Sequence, residues 1–102
     1  MVLDLNTLNE KERTQYCLDM VRIGDALLKV TDAYRINYET WGNSDAALHT
    51  HIMPRYMSEP EDKRTYPACK KYDWGMARPF DSIRDKEFME KMKNELSQWE
   101  SK

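Results

Sequence analysis

The period at which apolar residues recur changes once within the first 56 residues, and that change limits the folds open to the chain. Tyr16, Met20, Ile23 and Leu27, with Cys17, Val21 and Leu28, fall at three- and four-residue intervals. That spacing gathers them on one broad face of a helix. Asn9 followed by Glu12 is the N-x-x-E form of a capping box, with Leu8 ahead of it as a staple, so the helix is expected from about Glu10 to about Val30. Gly24 interrupts it at some cost in propensity, and would let a sheet approach closely. From Ala33 to Trp41 the period becomes two, with Tyr34, Ile36 and Tyr38 alternating with Arg35, Asn37 and Glu39 as in a half-buried strand. Gly42-Asn43-Ser44-Asp45 is turn chemistry. Ala47 to Arg55 then alternates again, until Pro54 closes the strand or sits at its edge. Two such strands joined by a short polar segment form an antiparallel hairpin.

Beyond the hairpin, residues 57 to 81 read as irregular, with Pro60, Pro67, Gly75 and Pro79. A second helix is expected from Ser82 or Asp85 to near Trp99, with Phe88, Met92, Leu96 and Trp99 as its buried face. A chain of 102 residues holds one small domain and not two separate cores. Its parts are the helix and hairpin of residues 1–56 and the loop and C-terminal helix of residues 57–102. With 40% hydrophobic residues the core is thin, and Trp41, Trp74 and Trp99 are expected to anchor it. Sixteen basic and 18 acidic side chains give a net charge of -2, which makes no case for duplex nucleic acid or an anionic membrane as partner. No apolar run reaches bilayer length and no leader precedes the helix, so a soluble, cytoplasmic protein is expected. Cys17 and Cys69 form no CxxC or framework and read as reduced thiols.

The chemistry concentrates in Leu48-His49-Thr50-His51-Ile52-Met53-Pro54-Arg55, which holds the only two histidines. In a strand His49 and His51 share one face about 7 Å apart, with Met53 beside them, and Leu48, Thr50 and Ile52 point the other way. Two adjacent imidazoles suit a nucleophile or acid–base group whose neighbour binds phosphate. The same pair could ligate zinc if Cys69, Asp45 or Glu59 joined it, although none has a spacing that specifies a site. Lys70 and Lys71 with Tyr66, Tyr72 and Trp74 offer a third reading, single-stranded nucleic acid, which the acidic balance opposes. Arg55 is expected either to reach an anionic ligand or to pair with Glu59 at the surface, the second being preferred.

Ala47-Leu48-His49-Thr50-His51-Ile52-Met53 followed by Pro54-Arg55 resembles the signature of the histidine triad (HIT) superfamily, in which histidines alternate with hydrophobic residues before Pro-Arg. The stretches from Ala33 to Glu39, from Leu48 to Tyr56 and Tyr72-Asp73-Trp74 are similar to a bacterial HIT-like subgroup. The resemblance implies an α+β fold, a long helix packed on a small antiparallel sheet with a C-terminal helix. It also implies a nucleotide phosphate hydrolase or nucleotidyl transferase that needs no metal or cofactor. His49 matches the nucleophilic middle histidine and His51 the third; Ala47 stands where the first would be. Asn43 and Ser44 fall at the distance of the family's phosphate-holding pair, and Asn37 matches a ribose-contacting asparagine more loosely. With Ala47 in the first position, a binding module that holds a nucleotide or phosphate without turnover is the second reading. Family members begin with a further hairpin ahead of the long helix. Here the helix starts near residue 10, so the chain is either a short member or begins downstream of the full gene's start. A two-stranded hairpin has open edges and little stability of its own, and a homodimer is the expected assembly.

Overall fold

The computed structural model describes residues 2–100, and each element in it has a local cause. A single 3-10 turn at Leu5–Thr7, capped by Asp4, leads into helix α1, Glu10–Val30. The capping box is complete: Asn9 Oδ1 accepts from the Glu12 N–H at 2.8 Å and Glu12 Oε1 accepts from the Asn9 N–H at 3.0 Å. Leu8, just ahead of the cap, is buried. At the other end the Thr31 hydroxyl donates to the Leu27 carbonyl at 2.6 Å, closing the last turn.

Strands β1, Arg35–Glu39, and β2, His51–Arg55, pair antiparallel with Arg35 opposite Arg55, Asn37 opposite Met53 and Glu39 opposite His51. Alternation then puts Arg35, Asn37, Glu39, His51, Met53 and Arg55 on one face and Ile36, Tyr38, Ile52 and Pro54 on the other. The second face meets α1 at Gly24. A Cβ there would stand 2.0 Å from the Tyr38 hydroxyl oxygen and 3.5 Å from Ile36 Cγ2, so the close approach requires glycine.

Two expectations about the hairpin change. Its connection is residues 40–50 rather than a tight turn, and β2 begins at His51, which leaves His49 outside the ladder. The cause lies in β1. Glu39 is the last residue to pair, and the chain then swings away through Gly42 at φ 91, a left-handed conformation that favours glycine. Other bonds hold the unpaired approach. The Leu48 N–H donates to the Val2 carbonyl at 3.0 Å, and the Thr50 hydroxyl bridges those of Tyr16 and Thr40 at 2.7 and 2.6 Å.

The stretch expected to be irregular contains short helical turns, α2 at Glu61–Arg64 and α3 at Ala68–Lys71, entered through Pro60 and Pro67, and a 3-10 turn at Trp74–Met76. Helix α4, Lys86–Glu100, lies against α1. The Arg22 guanidinium sits 4.6 Å from the centre of the Trp99 ring, and Lys29 pairs with Glu95 at 3.5 Å. These ties come from the later turns of α4. Met92, Leu96 and Trp99 are half-buried, whereas Phe88, expected on the same buried face, is exposed.

The core is as thin as the composition implies: Leu8, Ala26, Leu27 and Ala68 are its buried apolar residues among those described. The α1 stripe is only partly covered, with Val21 and Leu28 47% and 45% exposed and Cys17 exposed too. Two strands about 4.8 Å apart are too narrow to cover so broad a helical face. The architecture is α+β, a long helix on a two-stranded antiparallel sheet with a C-terminal helix beside it. Among the described residues no helix is long and apolar enough to cross a membrane.

Candidate functional site

His51 opens β2, and His49 precedes it in the unpaired approach, so the two do not share a regular strand face. The rings are nevertheless neighbours. Their centroids are 5.3 Å apart and their planes meet edge to face at 89°. His49 is half-buried and His51 exposed. His49 Nδ1 lies 2.7 Å from the Ala47 carbonyl oxygen. A carbonyl only accepts, so the proton of a neutral His49 sits on Nδ1 and the lone pair on Nε2. The residue in position 47 thus fixes the tautomer through its backbone, whatever its side chain. The Ala47 N–H in turn donates to Asp45 Oδ1 at 3.1 Å, which shapes the loop just before the histidines.

Asn43, Ser44, His49 and His51 line one open cleft of about 530 Å³ together with Trp41, Gly42 and Asp45. The left-handed Gly42 turns the connection so that Asn43 and Ser44 come round to the imidazoles. Asn37 is placed otherwise. It lies on the same sheet face, opposite Met53, but its side-chain oxygen accepts from Arg55 Nη1 at 2.8 Å, which leaves its NH₂ as the group it could offer a ligand.

Arg55 is not a surface residue. It pairs with Glu59 as expected, but at 3% exposure it is the buried charged side chain of the described chain. Nε and Nη2 reach the two Glu59 oxygens at 3.2 and 3.1 Å, and Nη1 and Nη2 also donate to the carbonyls of Tyr66 and Lys63 at 2.7 and 2.9 Å. Tyr72 donates its hydroxyl to Glu59, and the Tyr56 N–H does so at 2.7 Å. Burial pushes the Glu59 carboxyl up, but hydrogen bonds from Arg55, Tyr72 and the Tyr56 N–H, with the Arg55 charge, outweigh it and hold the group below its ordinary value. The bond to Glu59, with burial, pushes the Tyr72 hydroxyl up. The network clamps the segment carrying α2 and α3 onto the end of β2. Only the adjacency of Arg55 and Glu59, four residues apart, was available to sequence reasoning; the carbonyl acceptors were not.

The clamp also bears on the alternatives. Glu59 is committed to Arg55 and Tyr72, and among the described residues no group of three His, Cys, Asp or Glu side chains is placed to hold a metal ion. Tyr66 and Tyr72 have the ammonium groups of Lys71 and Lys63 over their rings at 4.3 and 5.2 Å, which leaves those faces covered rather than free to stack bases.

No family model matches the chain, and no curated protein matches it by sequence. Solved structures do. A histidine triad protein from Sinorhizobium meliloti 1021 superposes with a TM-score of 0.76 at 20% identity, over 92% of this chain and 66% of that one. A histidine triad protein from Bradyrhizobium japonicum gives 0.71 at 22% identity, with the same coverage of each chain. This chain spans 66% of the length of either. At such identities the likeness is one of fold: the helix, hairpin and C-terminal helix are arranged as in these bacterial HIT proteins.

Proposed function

We propose that the protein is a nucleotide phosphate hydrolase or nucleotidyl transferase working through a nucleotidyl-His49 intermediate. The observation that carries this reading is the 2.7 Å contact from His49 Nδ1 to the Ala47 carbonyl, which leaves Nε2 as the free nucleophile in a cleft shared with His51, Asn43 and Ser44. His49 Nε2 attacks the α-phosphorus in line and the bond to the leaving group breaks, with both of its electrons going to that group. Water then attacks the same phosphorus, breaks the P–N bond and returns the imidazole, so one difficult displacement becomes two easier ones. His51, Asn43 and Ser44 donate to the phosphate oxygens as charge builds on them. Preorganised donors of this kind are worth about 3–4 kcal/mol each where removal has been measured in other enzymes.

The second reading, nucleotide or phosphate binding without turnover, is favoured by one feature: a methyl group at Ala47 can neither pass a proton nor hydrogen-bond a leaving group. The test is nucleotide release by wild-type protein and His49→Ala, with adenosine phosphoramidate, dinucleoside polyphosphates and ADP at matched protein concentration. Release by the wild type that disappears in the variant supports covalent catalysis at His49. Binding without release by either protein selects the second reading.

A further inference from the structure

Leu48, Thr50, Ile52 and Pro54 alternate with the histidines along the end of the connection and through β2, and Thr50 is the polar member of that row. Ile52 and Pro54 belong to the sheet face that meets α1, and Thr50 reaches the same helix. Its hydroxyl oxygen stands 2.7 Å from that of Tyr16, on α1, and 2.6 Å from that of Thr40, the residue after the end of β1. A threonine hydroxyl donates one proton and accepts two, so one side chain satisfies both neighbours. Among the described residues neither Tyr16 nor Thr40 has another side-chain hydrogen bond. An aliphatic side chain would half-bury here as readily. It would not fix where along the helix the chain sits, because apolar contact is non-directional and a hydrogen bond is directional.

We propose that Thr50 is a positioning residue of the candidate site: bonded to Tyr16 and Thr40, it sets the backbone between the two histidines so that His49 Nδ1 meets the Ala47 carbonyl. The inference rests on the reading of His49 as nucleophile and says what holds it in its reactive form. The need arises because His49 has no ladder bond. Pairing begins with Glu39 opposite His51, so residues 40–50 take their path from isolated contacts. Leu48 is pinned by its N–H on the Val2 carbonyl at 3.0 Å and Thr50 by its two hydroxyl bonds, so His49 lies between two fixed points. The 2.7 Å contact from His49 Nδ1 to the Ala47 carbonyl spans two residues of this stretch, and its length follows the backbone angles there. With the pin at Thr50 gone, those angles drift, the contact lengthens, and the proton is free to move to Nε2, the nucleophilic atom. Tyr16 supplies a rigid end, being part of a 21-residue helix, and Thr40 ties the same point to the end of β1.

The test is long-range proton–nitrogen NMR correlation of the imidazoles, with nucleotide-release kinetics beside it, in the wild type, Thr50→Val, Thr50→Ser and Tyr16→Phe. In the wild type, at a pH where His49 is neutral, its proton is expected on Nδ1 alone. Thr50→Val should give a mixture of the two tautomers and lower kcat by up to about 10²-fold, the cost of misplacing a reacting group by about 1 Å. KM should stay near the wild-type value, because Asn43 and Ser44 are untouched. Thr50→Ser keeps the hydroxyl and should restore both readouts. Tyr16→Phe removes one of the two bonds and should shift the tautomers less; it also guards against a valine variant that fails to fold. A His49 that stays wholly Nδ1-protonated in Thr50→Val and Tyr16→Phe overturns the proposal, as does a serine variant no better than the valine one. A wild type that releases no nucleotide refutes the nucleotidyl reading alone, because the tautomers are compared without substrate.

Discussion

At the scale of single residues, the imidazoles of His49 and His51 stand with their centroids 5.3 Å apart, and the carbonyl of Ala47 orients His49 even though its side chain has no chemistry. This separates two jobs that a histidine at position 47 would combine, and so makes a prediction. On the proposed reaction, Ala47→His keeps the backbone acceptor and adds a proton donor to the triad position, so it should raise the rate for a poor leaving group, such as the amine of a phosphoramidate, by about 10²–10⁴-fold. Release of a good leaving group should change far less; parallel rate measurements on the two substrate types check this. Gly24 is the second residue whose identity the fold fixes. Alanine in a helix interior ordinarily gains about 1 kcal/mol over glycine. Here its Cβ would stand 2.0 Å from the Tyr38 hydroxyl, so Gly24→Ala should instead lower stability by about 1 kcal/mol. In a Tyr38→Phe background the loss should shrink, and thermal midpoints of the four proteins compare the two.

Among the elements, α1 was readable to its ends because its boundaries are written in local chemistry, the Asn9–Glu12 box and the Thr31 hydroxyl. The start of β2 was not. The alternation of residues 47–55 continues past the point where β1 runs out of partners, and only the path of the connection decides where pairing stops. Trp41 and Trp74, 64% and 57% exposed, misled for a related reason: a thin core favours large side chains, but whether a given indole reaches the core depends on long-range placement. The segment after β2 is held by Arg55, Glu59 and Tyr72, and this clamp should be acid-sensitive. The folded Glu59 carboxyl titrates below its ordinary value, so between the two values the unfolded chain binds more protons. Its contribution is therefore full above pH 4.5, the ordinary carboxyl value, and is lost as pH falls through the lower folded value. Glu59→Gln should cost about 3–5 kcal/mol at neutral pH by leaving the buried Arg55 charge unpaired. It should also flatten stability against pH in that acidic window, as denaturant titrations at several pH values would record.

For the molecule as a whole, the order of helix, hairpin and C-terminal helix was legible, and so was its likeness to the HIT arrangement that the two rhizobial structures share. How completely the parts cover one another was not. The helical pattern marks which α1 residues are apolar, and the width of the sheet decides how many of them are buried. Val21 and Leu28 remain exposed on α1, next to a two-stranded sheet. We propose that a second copy covers such surface, so the apparent mass in sedimentation should rise with concentration toward twice 12.2 kDa. Val21→Lys should hold it at the monomer, and a concentration-independent monomer in the wild type would contradict the proposal. The proposed reaction turns on one bond, between His49 Nε2 and phosphorus. The most direct measurement is the intact mass of the protein, quenched in alkaline denaturant, where the P–N bond survives, within milliseconds of mixing with a dinucleoside polyphosphate and mapped by peptide at alkaline pH. A mass gain of one nucleotidyl group on His49, absent from His49→Ala, is the predicted result. Nucleotide release that proceeds with no adduct on His49, or at an undiminished rate in the variant, would contradict it.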